Sequence, residues 1–338
     1  MNVAVVGATG AVGETILRVL EERRLPIDQL GTFASRERDL GARFRGNSMR
    51  VRATSAEALG GFDVVFFAGG EEASEAYAPA LIARGAVVID NSASFRLHEG
   101  VPLIVPKVNG ETLKAEHRLL PVANCTAIVL CSALRPVRDV AGLRRVSVAT
   151  YQAASGAGRA GIDEFLAGER ALVLDEREPQ PVAFSRPLAR NVVPQVGRLD
   201  SAGWTGEERK IRDETRKMLD LPELHLSATA VRVPVRTAHS AAVFVETQRP
   251  TTAVELARAF ERAPGIVFHR DGIVTPREVE GTDEVHVARL RVEPSDEAQS
   301  ERGTDVAFWC VGDQLRTGAA TNAVEILELL LKKGYLTA

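Results

Sequence analysis

Residues 3–13 read VAVVGATGAVG and pass from a short apolar strand through three glycines into an amphipathic helix. Gly7, Gly10 and Gly13 permit a tight turn and a close approach of the backbone to a ligand. The N-terminus of the following helix offers free N–H groups and a partial positive charge, which suit a pyrophosphate. The spacing is GxxGxxG, a relative of the dinucleotide fingerprint. Its strand–turn–helix setting favours nucleotide binding over a glycine turn without a ligand.

The rest of the first part of the chain alternates short apolar runs with helical patterns. Strands are predicted at Val3–Val6, Gly31–Ser35, Val64–Ala68 and Val87–Asp90, and helices at Thr15–Glu22 and Ser74–Arg84. This alternation is typical of βαβ units and a mostly parallel sheet, so we expect an N-terminal Rossmann-like domain in an α/β protein.

The pattern changes after Cys125, where a helix is predicted to follow and to stop before Pro136. Later strands are predicted at Arg145–Ala153, Ala228–Val235, Ala241–Thr247, Val285–Val292 and Asp305–Val311. Helices are predicted at Glu207–Leu219, Ala253–Arg262 and Ala319–Lys332, and a polar loop at Pro294–Arg302. Several of these strands alternate apolar and polar residues, which indicates a sheet with one solvated or functional face. We therefore expect a second, α+β domain.

The composition excludes several classes of protein. A chain of 338 residues is long enough for two domains, and its net charge of −3 with scattered basic residues gives no surface for nucleic acid. Three cysteines without a CxxC pair argue against a disulfide framework and a zinc site, and for a reducing compartment. No apolar run could span a membrane, and the first strand starts too early for a signal peptide. We expect a cytoplasmic protein.

The residues after the second strand bear on which dinucleotide is bound. An NAD site usually has Asp or Glu there for the ribose hydroxyls. Here Ser35 is followed by Arg36 and Arg38, which suit the 2′-phosphate of NADP. Glu37 and Asp39 could instead neutralise two solvated arginines. Since the acidic ribose ligand is missing, we predict NADP.

Cys125 lies in the run Asn124-Cys125-Thr126, just before a helical stretch. A cysteine at a helix N-terminus has its thiolate stabilised by the helix dipole, which makes it a nucleophile. A lone cysteine is more often a buried structural residue. That description suits Cys131 and Cys310, which lie in apolar segments, whereas the motif around Cys125 favours a functional role.

Eight motifs of the chain occur together in a recognisable order. They are GATGAVG (7–13), DNSASFR (90–96), NCT (124–126), YQAASGAG (151–158), NVVP (191–194), EERK (207–210), RVPVRTAHS (232–240) and GDQLRTGAA (312–320). In this order they resemble the aspartate-semialdehyde dehydrogenases over nearly the whole chain. YQAASGAG with the cysteine and histidine motifs is far more specific than the glycine loop alone.

The resemblance implies a reaction and a domain plan. The reaction is the NADPH-dependent conversion of L-4-aspartyl phosphate to L-aspartate 4-semialdehyde, on the route to lysine, threonine and methionine. Cys125 would form an acyl thioester, Gln152 would orient it, and His239 would act as acid and base. Residues 1–124 with 312–338 would form the NADP-binding domain, and residues 125–311 the catalytic and dimerisation domain of a homodimer or dimer of dimers.

The resemblance also implies how the small-molecule substrate and the cofactor are held. Arg232 would bind the α-carboxylate as a two-pronged donor, and Glu207 would meet the α-amino group. The remaining substrate residues would be Asn124 and, on the phosphate, Arg96 and Lys210. The cofactor residues would be Gly7, Thr9, Gly10, Ala11, Val12, Gly13, Ser35, Arg36, Arg38, Ser155, Gly156 and Gln314. Singly, each could be structural, and Glu207 with Lys210 could be a solvated i, i+3 helix pair. Their occurrence together favours the site.

Three alternatives are weighed against this interpretation. An N-acetyl-γ-glutamyl-phosphate reductase would share fold and chemistry, but its Pro-Gly-Cys-Tyr-like context is absent. A glyceraldehyde-phosphate-type dehydrogenase fits less well because a pair such as Arg232 and Glu207 suits an amino acid. A non-catalytic homologue acting as a binding protein would be expected to lose Cys125 and His239.

The chain also departs from the family pattern, with Ala123, Lys107 and Thr317 where Pro, Glu and Lys are common. The loop Ser35–Gly41 is one residue longer than usual.

Overall fold

The computed structural model describes residues 1–294 and 301–337, and its chain divides into two compact units. The first comprises Met1–Asn124 and Ala319–Ala338, and the second Cys125–Gly318. The chain returns to the first unit after Gly318, and not at residue 312 as predicted. Asp313 and Gln314 belong to the second unit because they accept hydrogen bonds from the backbone of Gly281 and Ala238, at 2.8 Å each. The predicted loop Pro294–Arg302 lies largely outside the described residues.

Within the described residues, the strands are β1 (Asn2–Val6), β2 (Gln29–Ala34), β3 (Arg38–Phe44), β4 (Asn47–Ala53), β5 (Val64–Phe67), β6 (Val87–Asp90), β7 (Leu119–Pro121), β8 (Arg145–Gln152), β9 (His225–Arg232), β10 (His239–Thr251), β11 (Ile266–His269), β12 (Val285–Glu293) and β13 (Gly303–Gly312). The α-helices in the same ranges are α1 (Ala11–Glu22), α2 (Ala56–Leu59), α3 (Glu71–Ala83), α4 (Pro106–Asn109), α5 (Cys125–Ala141), α6 (Gly158–Val173), α7 (Gly206–Leu219), α8 (Ala253–Arg262), α9 (Pro276–Val279) and α10 (Thr321–Lys332).

The first unit contains a seven-stranded sheet in the order β3-β4-β2-β1-β5-β6-β7, parallel except for the edge strand β3. The central strands β1, β5 and β6 are buried along almost their whole length. Helix α1 packs with α10, and α2 with α3. Strands covered on both faces are characteristic of βαβ folds, which explains their continuous apolar runs. The predicted Rossmann-like parallel sheet is confirmed.

The hairpin of β3 and β4 is absent from the predicted elements, since Ser35–Gly41 was expected to be a loop. The strands are joined by Arg45 and Gly46, both with positive φ (48° and 77°), as in the two-residue turns that close tight hairpins. β3 lies at the edge of the sheet beside β4, and in its second half the exposed Arg43 lies between Ala42 and Phe44, which are buried. Edge strands of this kind are rich in charged residues, and for that reason the segment resembles a loop.

The second unit contains a six-stranded mixed sheet in the order β11-β12-β13-β10-β8-β9. Along β8 and β9 buried and exposed residues alternate, and helices α5, α7 and α8 pack on the unit's strands. This confirms the predicted α+β unit with one solvated face. Because β8 and β9 run parallel and β10 runs antiparallel to β8, the ends of β8 and β9 and the start of β10 meet at one edge.

Two boundaries in the second unit differ from the prediction. Helix α5 continues through Pro136 to Ala141, because the proline is buried together with Leu134 and Val137, and burial of that apolar face outweighs a cost of about 3 kcal/mol. Strand β9 ends at Arg232 rather than at Val235, because Pro234 has no N–H to donate to a ladder. No helix in the described part of the chain is both long and apolar enough to cross a membrane.

Candidate active site

The glycine loop between β1 and α1 leaves no room for side chains. Gly7 has a φ of 81°, and a Cβ atom there would lie 2.5 Å from the carbonyl carbon of Ala68. A Cβ atom at Gly13 would lie 2.2 Å from the carbonyl oxygen of Gly7. Gly10 is the N-cap of α1 and has no side chain to cap the free N–H groups of the first turn. These N–H groups therefore remain available to an anion.

A cleft of about 510 Å³ lies at the carboxyl ends of β1, β2 and β5 in the first unit. Of the predicted cofactor residues, Gly7, Thr9, Gly10 and Ser35 line it, while Ala11, Val12 and Gly13 form the adjoining first turn of α1. The other lining residues were not predicted to bind the cofactor, and they include Thr54, Gly69, Glu72 and Tyr77. Thr54 follows β4, so recognising the Arg45-Gly46 turn as a hairpin signal would have placed it near this edge.

Arg36 and Arg38 are exposed at the β3 side of the sheet and do not line this cleft. Arg38 begins β3 and is paired in register with Val51 of β4. Glu37 forms an ion pair with Arg50, and not with Arg36 or Arg38. Arg36 and Arg38 therefore flank, in the chain, a carboxylate that is already paired with Arg50.

Two predicted substrate residues belong to the first unit. Arg96 is buried in the loop after β6, and its Nη2 donates to the carbonyl oxygen of Asn91 at 2.9 Å. Asp90 stabilises this loop by accepting from the backbone N–H and the hydroxyl of Ser92, at 2.8 and 2.7 Å. Asn124 is buried directly before α5.

Cys125 is the first residue of α5, and its side chain is half-buried. Gly318 borders it closely, since a Cβ atom at Gly318 would lie 2.9 Å from Cys125 Cβ. The other two cysteines have a different environment. Cys131 and Cys310 are fully buried, and burial raises the pKa of each thiol to about 12. Only the thiolate is nucleophilic, so these two cysteines are unsuited to attack a substrate.

Gln152 ends β8 and is buried beside the cysteine. Its Nε2 donates to the hydroxyl of Thr126 at 2.8 Å and to Oε1 of Glu207 at 2.9 Å. The Thr126 hydroxyl also donates to Glu207 Oε1, at 3.3 Å. These bonds fix the Glu207 carboxylate near the residue that follows Cys125. The role of Thr126 was not predicted, although its place in the NCT motif is a sequence signal.

Arg232 ends β9 and is paired in register with Gln152. It is buried, and its Nη1 donates to the carbonyl oxygen of Ala153 at 2.6 Å. Burial lowers the pKa of Arg232, while the negative charges of Glu207 and Cys125 oppose that shift. A buried guanidinium beside one carboxylate and a thiol can bind a second carboxylate in a bidentate manner.

His239 begins β10 at the same edge of the sheet and is 1% exposed. Its Nδ1 accepts from the backbone N–H of Ala153 at 3.1 Å. The ring proton of a neutral imidazole must then lie on Nε2, an atom without a hydrogen-bond partner among the described residues. Burial, followed by the charge of Arg232, lowers the pKa of His239 well below 6.5. At neutral pH this histidine is an uncharged donor aimed into the site.

Gly156 lies between the side chains of Arg232 and His239. A Cβ atom at Gly156 would lie 2.7 Å from Nη1 of Arg232 and 2.9 Å from Nε2 of His239. Gly156, the first glycine of the YQAASGAG motif, is therefore required because any side chain there would clash with its neighbours. Next to it, Ser155 accepts a hydrogen bond from the amide of Gln314.

The residue before His239 has an unusual backbone. Ala238 is in the left-handed region with a φ of 71°, a conformation that costs a non-glycine residue about 1–3 kcal/mol. Its N–H donates to Gln314 Oε1 at 2.8 Å, and its methyl group packs in a small core cluster with Val274 and Val311. These contacts stabilise the strained backbone of Ala238 and fix the start of β10. They thereby fix the position of the His239 imidazole.

The second unit thus brings together Cys125, Gln152, Glu207, Arg232 and His239. Lys210 lies one turn along α7 from Glu207 and is half-buried. The arrangement combines a thiol at a helix N-terminus, a cation, a carboxylate and a neutral imidazole donor. It can hold a zwitterionic substrate, attack it with sulfur and stabilise an oxyanion.

Comparison with known proteins agrees with this chemistry. Residues 2–116 match the family model described as "Semialdehyde dehydrogenase, NAD binding domain", and residues 134–317 match "Semialdehyde dehydrogenase, dimerisation domain". Aspartate-semialdehyde dehydrogenase 2 of Vibrio cholerae serotype O1 is 41% identical over 98% of both chains. Aspartate-semialdehyde dehydrogenase of Bacillus subtilis is 37% identical over 98% of both.

Solved structures give the same result. The crystal structure of aspartate semialdehyde dehydrogenase II from Vibrio cholerae has a TM-score of 0.90 with this chain, at 38% identity and 98% coverage of each chain. The same enzyme complexed with ASA has the same TM-score, identity and coverage. With both family models matched and near-complete coverage of these relatives, the chain belongs to the aspartate-semialdehyde dehydrogenase family.

Proposed function

We propose that this protein catalyses the NADPH-dependent reductive dephosphorylation of L-4-aspartyl phosphate to L-aspartate 4-semialdehyde, through a thioester on Cys125. The observation that carries the proposal is the pairing of opposite charges beside one thiol. Arg232 supplies a buried cation and Glu207 an anion, and both interact electrostatically within the same site. An α-carboxylate and an α-amino group are the two charges such a site would bind.

The first chemical step uses the sulfur of Cys125. The thiolate attacks the acyl carbon of the substrate, the C–S bond forms, and the C–O bond to phosphate breaks. The positive end of α5 and the nearby Arg232 favour the thiolate form. Arg96 and Lys210 are proposed to stabilise the charge on the departing phosphate, since both carry a positive charge.

His239 is proposed to act from Nε2. Because Nδ1 is occupied by the N–H of Ala153, Nε2 carries the proton and donates to the carbonyl oxygen of the substrate. This bond strengthens as the oxygen becomes an oxyanion, both when sulfur adds and when the thioester is reduced. The aldehyde then forms as the C–S bond breaks, and the thiolate of Cys125 is regenerated.

The first unit fits a dinucleotide. Gly7 and Gly13 leave the backbone bare, and the first turn of α1 offers its N–H groups to a pyrophosphate. Ser155, Gly156 and Gln314 are proposed to contact the nicotinamide side. NADPH, when bound, supplies the hydride for the thioester. NADP is proposed over NAD because Arg36 and Arg38 follow the second strand, and an acidic ribose ligand is absent at that position.

A homodimer or a dimer of dimers is proposed for the assembly. The matched description of residues 134–317 as a dimerisation domain supports it. The sheet of the second unit also exposes aromatic side chains, with Phe244 50% and Tyr151 38% accessible. Apolar groups on a sheet face favour self-association.

The test measures the phosphate-dependent reduction of NADP with aspartate semialdehyde as substrate, and the reduced cofactor is monitored by its absorbance. N-acetyl-glutamate semialdehyde is the comparison, because an acetylated amine carries no charge for Glu207. We expect turnover with aspartate semialdehyde and a much lower kcat/KM with the acetylated compound. A preference for the acetylated compound would assign the enzyme to the alternative reductase.

A further inference from the structure

Glu208, the neighbour of Glu207, joins the N-terminus of α7 to the strand that carries Arg232. It is 7% exposed, and its Oε2 accepts from the backbone N–H of Thr205 at 2.7 Å. Thr205 in turn accepts from the backbone N–H of Glu208 at 3.2 Å, which completes a capping box. The second oxygen, Oε1, accepts from the backbone N–H of Ala230 in β9 at 3.0 Å.

β9 is an edge strand, and its outward N–H groups need partners from outside the sheet. Glu208 supplies one partner, for Ala230. Two residues further, the N–H of Arg232 donates to the carbonyl of Val193 at 2.8 Å, and Val193 N–H donates back to Arg232 at 2.9 Å. The end of β9 is thus held on its open side by a carboxylate and by a segment of the NVVP motif.

The other capping boxes of the described residues lack this link. In α8 the N3 residue Glu255 accepts from Thr252 and uses its other oxygen for Arg302 on the surface. In α9 the N3 residue Glu278 is exposed, and its Oε2 accepts from the backbone N–H and the hydroxyl of Thr275 in the same capping box. A helix cap therefore does not require a buried carboxylate, whose desolvation is costly. Glu208 differs from the other two N3 glutamates in that it is buried and also accepts from the backbone N–H of Ala230 in β9.

We propose that Glu208 is a positioning residue that sets the separation of Glu207 and Arg232, and thereby selects substrates carrying both an α-amino group and an α-carboxylate. The inference rests on the proposed function, in which these two residues meet those two groups. Glu207 lies in the first turn of α7 and Arg232 ends β9, so their spacing depends on how α7 is fixed to β9. The carboxylate of Glu208 makes that connection. Glu208 is the next residue after Glu207, and its partner Ala230 lies two residues before Arg232.

The test compares two aldehydes that differ only in the amine. Aspartate semialdehyde carries the α-amino group, whereas succinate semialdehyde lacks it. Glu208→Gln keeps the size of the side chain but replaces one acceptor oxygen by a donor. Losing one hydrogen bond to a charged group should raise KM for aspartate semialdehyde about tenfold or more. We expect kcat to change far less, and the preference for aspartate over succinate semialdehyde to fall.

Glu255→Gln is the matched control, since it alters the same position of another capping box in the same unit. It should leave the substrate preference unchanged, and thermal unfolding of both variants separates lost stability from lost positioning. If Glu208→Gln does not fold, Glu208→Asp serves instead, because it keeps the charge but is one methylene too short to reach both N–H groups.

The proposal fails if the folded variant retains the wild-type preference, or if it loses both substrates equally. A wild-type enzyme that does not distinguish the two aldehydes would refute the proposed function as well. A wild-type preference that survives the Glu208 substitution would refute this inference alone.

Discussion

A single added methyl group at Gly156 should strongly reduce the activity of the enzyme without removing any functional side chain. The methyl carbon of Gly156→Ala would lie 2.7 Å from Nη1 of Arg232 and 2.9 Å from both Cε1 and Nε2 of His239. Ordinary contacts between such atoms are about 3.5–4.0 Å, so each neighbour must move by roughly 1 Å. Both are buried and hydrogen-bonded to Ala153, and they therefore cannot move without breaking those bonds.

The expected loss follows from that displacement. A misplacement of about 1 Å in a catalytic group can cost about 10²-fold in rate. Since two groups move, we expect kcat/KM for aspartate semialdehyde to fall by at least about 10²-fold. Overpacking should lower the free energy of unfolding by only about 1–3 kcal/mol, which leaves the protein folded.

The assay is steady-state NADP reduction, combined with thermal unfolding and alkylation of the Cys125 thiol. Gly206→Ala is the matched control, because a Cβ atom there has no other atom within 4 Å. It should keep wild-type kinetics. If the effect of Gly156→Ala were confined to KM for NADP, it would come from the cofactor side. A folded Gly156→Ala enzyme with wild-type kcat/KM would refute the assigned geometry.

Five further outcomes are expected. Cys125→Ala should abolish turnover while NADP still binds, and mass spectrometry of the wild type with acyl phosphate but no cofactor should find the acyl adduct on this cysteine and no other. His239→Asn should leave slow turnover, reduced about 10²–10⁴-fold. Because the folded pKa of His239 lies below 6.5, the unfolded chain binds its proton more readily, so unfolding free energy should decrease as pH falls below about 6.5. His239→Asn should weaken that dependence in urea titrations, and an unchanged slope would contradict it. Replacing Arg36 and Arg38 with Ala should weaken NADP far more than NAD, and equal losses would count against the 2′-phosphate role. Light scattering should give a dimer or tetramer at micromolar concentration, whereas a monomer would disprove the assembly.

Local patterns in the sequence determined the elements whose stability is itself local. The glycine loop, the buried central strands and the start of α5 at Cys125 depend on neighbours in the chain, and the predictions for them agree with the structure. The same holds for the apolar face of α1, where Ile16, Leu17 and Leu20 are buried. The family resemblance rests on motifs of this kind.

Contacts between distant residues decided the rest. The β3–β4 hairpin looked like a charged loop because only an edge position makes its composition suitable for a strand. Pro136 did not end α5, since tertiary burial outweighed local propensity. Likewise, the outward N–H of Ala230 could be satisfied by Glu208 only after the helix met the strand.

The chemistry of the site belongs to this second group. From the sequence, Gln152, Arg232 and His239 are separate side chains far apart in the chain. The parallel pairing of β8 with β9 and the antiparallel pairing of β8 with β10 bring them to one edge. The protonation state of His239 needs still more, because the N–H of Ala153 selects the tautomer and burial beside Arg232 lowers its pKa. A sequence names the histidine, but only its surroundings in the folded chain determine which nitrogen carries the proton.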